Sequence, residues 1–122
     1  MKIAITSTGK TLDSQVDPRF GRAAYFLIVD TDSGKFEALE NDAVSAGGGA
    51  GVSAAKTVAD AGAKAVLTGN CGPNAERTLS AAGIKLYTAL TGTAAQALEL
   101  FRSGKLSQAS GPNVSSHFGS GL

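Results

Sequence analysis

The stretch AYFLIVDTDSGKFEALE, residues 24–40, decides the fold. Its first part, Ala24–Asp30, is an unbroken aromatic and β-branched run, the composition that suits a pleated, packed strand. Thr31-Asp32-Ser33-Gly34 is a turn. Lys35–Glu40, in which Phe36, Ala38 and Leu39 alternate only weakly, reads as an edge strand. Four residues are too few for a crossover, so the two strands are antiparallel. Toward the C-terminus the rhythm changes. Lys64–Thr68 (KAVLT) and Ile84–Thr88 are short strands separated by a helix that opens at Pro73 and stops at Gly83, so these two are parallel. Upstream, Lys2–Thr6 is a further strand, followed by a long polar loop, Ser7–Ala23, holding Gly9, Pro18 and Gly21.

Two more helices complete the pattern. Val52–Ala61 follows the loop Asn41–Gly51, places Val52, Ala55 and Ala59 on one face, and stops at Gly62. Thr93-Ala94-Ala95-Gln96 is a capping box that opens a helix whose Ala94, Ala97, Leu98 and Phe101 recur at i, i+3, i+4, i+7. Gly104 closes it. Five strands and three helices predict an α/β protein with one mixed sheet covered by helices. The domain is expected to span 1–106, and the Ser-, Gly- and Pro-rich residues 107–122 a flexible tail.

Composition narrows the function. The chain has 122 residues, 43% of them apolar and 17% charged, and a net charge of +1. It is long enough for a self-sufficient core, and nothing global favours nucleic acid or a membrane as partner. The single cysteine, Cys71, excludes an internal disulfide and a polythiolate zinc site. Met1-Lys2 leads directly into Ile-Ala-Ile, without the apolar core of a signal peptide, so a cytoplasmic location is expected. The ten carboxylates are scattered, with no acidic cluster suited to magnesium. With no base, nucleophile and orienting group in view, a binding protein is favoured over an enzyme.

Ligands of such sheets gather beyond the carboxyl ends of the strands, and three segments are placed there. Gly47–Gly51 feeds a helix start with exposed N–H groups, suited to an anion, or simply permits close packing. Gly48, Gly49 and Gly51 are the candidates. Gly69-Asn70-Cys71-Gly72-Pro73-Asn74 does the same at the next helix, with Asn70 and Gly72 as N–H donors. Cys71 there is either a thiolate favoured by the helix terminus or a small buried residue. Asp17-Pro18-Arg19-Phe20-Gly21-Arg22 contributes two guanidiniums, Arg19 and Arg22, which bind an oxyanion or sulfur anion or else pair with Asp13 and Asp17. His117, in the tail, is a solvated residue or, with Cys71, a soft-metal ligand. A nucleotide- or phosphate-binding regulatory domain would use the same helix starts.

Met1-Lys2-Ile3-Ala4-Ile5, Phe20-Gly21-Arg22-Ala23 before Tyr25-Phe26, Gly48-Gly49-Ala50-Gly51, Gly69-Asn70-Cys71-Gly72-Pro73, Gly83-Ile84-Lys85-Leu86-Tyr87 and Phe101-Arg102-Ser103-Gly104-Lys105-Leu106 occur in order across residues 1–106. Together they resemble the dinitrogenase iron–molybdenum cofactor biosynthesis family. The resemblance implies a ribonuclease-H-like sheet, order 3-2-1-4-5 with strand 2 antiparallel, lacking the nuclease carboxylates. It also implies a carrier of an anionic metal–sulfur cluster, either an iron–molybdenum–sulfur precursor or a molybdenum–copper sulfide cluster. An acceptor or delivery protein is the implied partner.

Overall fold

The computed structural model describes residues 1–41 and 49–109 of the chain. The elements run β1 (Lys2–Ser7), β2 (Tyr25–Asp30), β3 (Phe36–Glu40), α1 (Ala50–Asp60), β4 (Ala63–Leu67), α2 (Pro73–Ala81), β5 (Lys85–Tyr87) and α3 (Ala94–Arg102). They agree with the sequence reading to within two residues at every end. The sheet order is β3-β2-β1-β4-β5. β2 is antiparallel to both β1 and β3, while β1, β4 and β5 are parallel. The carboxyl ends of β1, β3, β4 and β5 therefore share one edge of the sheet with the start of β2.

Side chains alternate across each strand, and the alternation builds two cores. Ala4, Phe26, Ile28 and Val66 face α1 and α2, meeting Ala54, Ala55, Val58, Ala75 and Leu79. Ile3, Ile5, Leu27, Val29, Ala65 and Leu67 face α3, meeting Ala94, Ala97 and Leu98. Each large side chain so buried contributes about 1.5–3 kcal/mol. α1 and α2 lie close together because their shared seam is made of small residues: a Cβ added to Gly51 would stand 3.0 Å from the Ala75 Cβ.

Within the expected tail, the chain lies against the body as far as Ala109. Leu106 packs against the α3-side core and Ala109 against the other. The Ala109 N–H donates to the Leu86 carbonyl at 2.7 Å, occupying part of the outer edge of β5. The remainder of the expected tail lies outside the described residues. Among the described residues no helix is long and apolar enough to cross a membrane.

Candidate functional site

The long β1–β2 loop is held by buried polar groups that act on its middle. Asp17 is only 4% exposed. Its N–H donates to the Thr6 carbonyl at 2.9 Å. Its carbonyl accepts from Thr6 Oγ1 at 2.8 Å, and that hydroxyl lies 2.9 Å from Thr68 Oγ1. The Asp17 carboxylate accepts from the N–H of Arg19 at 3.0 Å and of Ala24 at 3.2 Å. Residues 17–24 are thereby folded back on themselves. Phe20 drives the turn inward, its ring 5.7 Å from that of Phe26. Buried Asn41, just after β3, donates its side-chain amide to the carbonyls of Gly21 and Ala23 at 3.0 and 2.9 Å.

This turn lies directly on the β4–α2 loop. The Phe20 N–H donates to the Asn70 carbonyl at 3.1 Å, and Asn70 Nδ2 donates to the Pro18 carbonyl at 2.9 Å. Gly69 has no alternative here, because a Cβ would sit 2.7 Å from the Pro18 Cα. From the other side the Ala89 N–H donates to the Gly69 carbonyl at 2.7 Å. Ala89 makes that bond with φ of 65°, a left-handed conformation unusual for alanine.

The α1 start closes the third side. A Cβ on Gly21 would stand 3.0 Å from both the N and Cα of Gly51, and Gly51 in turn abuts Ala75 of α2. The three segments expected at the carboxyl edge thus meet. Their helix ends differ from that of α3 in a telling way. α3 has the capping box expected of it, with Thr93 Oγ1 accepting from Gln96 N–H and Gln96 Oε1 from Thr93 N–H. The Ala94 and Ala95 N–H groups are taken by the carbonyls of Ser14 and Leu12. At α1 and α2 the N-cap residues are Gly49 and Gly72, and neither helix has a side-chain cap. Two uncapped helix starts side by side, each carrying partial positive charge, suit an anion. Arg22 is exposed beside them, and the Arg19 side chain is 55% exposed, its Nε 3.7 Å from Asp17 Oδ1. The bracing alternative therefore holds in part for Arg19, which braces the loop and still presents its charge to solvent.

Cys71 does not follow the thiolate expectation. It is 1% exposed, within the core beneath α1 and α2, and its Sγ lies 3.6 Å from the Gly72 carbonyl. Burial, reinforced by the negative charge of Glu76, pushes the thiol up to about 12 from 9.0. Desolvation outweighs the helix terminus because the sulfur lies inside the protein. The unfolded chain releases this proton more readily than the folded one, so stability is full below pH 9 and declines between pH 9 and 12. Cys71→Ala is expected to flatten that decline in alkaline denaturation curves. An alkylating reagent at pH 8 is expected to modify the wild-type thiol only on unfolding.

Of the other predicted residues, Gly49, Gly51, Asn70 and Gly72 line the junction with Arg19 and Arg22. Gly48 and His117 lie outside the described residues. No group of three or more His, Cys, Asp or Glu side chains arranged for a metal ion occurs among the described residues. Sequence reading named Asp17 only as a partner for the arginines and passed over Thr6, Thr68 and Asn41. Their signal was faint: polar side chains at the ends of apolar strands, where a buried partner is needed.

A family described as dinitrogenase iron-molybdenum cofactor matches residues 1–104. The structure of the apo form of the orange protein from Desulfovibrio gigas is 43% identical with a TM-score of 0.91, covering 93% of this chain and 96% of that one. An NMR structure of a Thermotoga protein named as a NifB candidate is 39% identical with a TM-score of 0.77, covering 88% and 91%. An uncharacterized protein of Methanocaldococcus jannaschii is 31% identical over 110 residues, covering 87% of this chain and 93% of its own length.

Proposed function

The chain belongs to the dinitrogenase iron–molybdenum cofactor family over residues 1–104, and from that premise we propose that it is a non-catalytic carrier of an anionic metal–sulfur cluster. The observation that carries this reading is the meeting of two uncapped helix starts with the Arg19/Arg22 loop. These groups offer N–H donors and fixed positive charge. They suit a cargo whose own sulfides complete the coordination of its metals and leave negative charge on its surface. A molybdenum–copper sulfide cluster or an iron–molybdenum precursor has that character.

The residues divide the work. The backbone N–H groups of Gly49 and Gly51 at the α1 start and of Gly72 and Asn74 at the α2 start supply donors, Pro73 having none. Arg19 and Arg22 neutralise the cargo's charge, and Asn70 ties the arginine turn to the α2 start. Cys71, buried and protonated, tunes the site from beneath without anchoring the cargo. His117, in the tail, is left with at most a secondary part. Loading and release occur in the cytoplasm, with an acceptor protein receiving the cluster. The sheet order and the antiparallel β2 support a ribonuclease-H-like assignment of the fold.

Titration of the full chain with tetrathiomolybdate and copper tests the reading. A charge-transfer colour that stays with the protein through gel filtration, and weakens as salt is raised, is the expected result. Tight binding of a nucleotide, with no metal uptake, would instead favour a regulatory nucleotide- or phosphate-binding domain using the same helix starts.

A further inference from the structure

We propose that Asp17 is the positioning residue of this site: a buried carboxylate that holds Arg19 and the 19–24 turn in place for an anion its own charge opposes. The inference rests on the carrier reading. A buried carboxylate below an anion site is electrostatically unfavourable, so its presence calls for a compensating role. The bonds around it supply one. One oxygen accepts the Arg19 N–H at 3.0 Å and faces Arg19 Nε at 3.7 Å, while the other accepts the Ala24 N–H at 3.2 Å. A single side chain thereby sets both ends of the arginine turn and the direction of one guanidinium. Its main chain is locked in turn between the Thr6 carbonyl and hydroxyl. Asp17 touches no cargo; it acts through Arg19.

Charge and positioning predict opposite signs for Asp17→Asn. The substitution removes a negative charge, which by long-range attraction alone would tighten an anion. It also turns an amide N–H₂ toward one of the two N–H groups that the carboxylate accepts from, Arg19 or Ala24, so one end of the turn loses its acceptor, and it removes the countercharge that faces Arg19 Nε. Equilibrium binding of tetrathiomolybdate to the full-length protein, measured across a salt series, decides between them. The expected result is about tenfold weaker binding in Asp17→Asn, with a shallower salt dependence, in line with one lost charge-assisted contact. In an Arg19→Ala background the same change is expected to cost clearly less than in the wild type. Arg19→Lys keeps the charge but lacks the oriented Nε, and is expected to fall most of the way to Arg19→Ala. This variant keeps the test open should Asp17→Asn not fold by circular dichroism.

Binding in Asp17→Asn as tight as wild type or tighter would overturn the proposal. So would an equal loss in the Arg19→Ala background, or wild-type affinity in Arg19→Lys. Absence of tetrathiomolybdate uptake by the wild-type protein would overturn the carrier reading itself, and the positioning role with it.

Discussion

Phe20→Ala is expected to lower stability by about 3–5 kcal/mol, the range for truncating a buried aromatic side chain. Phe20 is 1% exposed and packs at a tilt against Phe26, although it comes from a loop. Truncation leaves a cavity between the arginine turn and the α1/α2 core, and the hydrogen bonds to Asp17, Asn41 and Asn70 must then carry more of the turn's placement. Two measurements check this. Urea denaturation should show the midpoint shifted down, with the slope retained. Cargo binding under conditions where the variant is fully folded should also fall, because Arg19 and Arg22 flank the lost ring. A stability loss below about 1 kcal/mol would mean that the loop is not anchored through this residue.

Arg19→Ala combined with Arg22→Ala is expected to cost little stability and most of the cargo. Both side chains reach solvent, and the Arg19–Asp17 ion pair is more than half exposed on the arginine side, so its contribution to folding is small. On the proposed carrier reading, the same two groups act together with the helix starts toward a multiply charged sulfide anion. Their removal is expected to weaken tetrathiomolybdate by tenfold or more at low salt and to flatten the salt dependence. Affinity and salt slope both unchanged from wild type would remove the electrostatic part of the mechanism and leave backbone donors alone.

These expectations depend on how the site is distributed along the chain. Local composition was enough for the elements themselves. The apolar run at Tyr25–Asp30, the turn through Gly34, Pro73 at a helix start and the Thr93/Gln96 capping box all act within a few residues. Such short-range preferences are legible without partners, and the alternation of strand and helix restricts how the strands can order. The glycine-rich helix starts and the two arginines were visible for the same reason: their chemistry lies in the residue types themselves.

Cys71 marks where that legibility ends. A thiol next to a helix start reads equally as activated or as a small buried residue, and only the depth of the core shows that burial, not the helix terminus, sets its proton affinity. Asp17 shows the same limit from the other direction. Near Arg19 and Arg22 it looks like a simple countercharge. Its role follows from Thr6, which the β1–β4 pairing places beside Thr68, and from Ala24 seven residues further on.

The sequence by itself determined the elements, the mixed sheet and the kind of groups available to a ligand, because hydrophobic period, turn chemistry and helix caps are local properties. Only the tertiary structure decided that Gly21 rests on Gly51, that Gly51 abuts Ala75 and that Pro18 lies against Gly69. Those contacts join segments some 25 to 50 residues apart, and they depend on which side chains are absent. Close packing decides them, and it acts between surfaces that come together only once the sheet has formed.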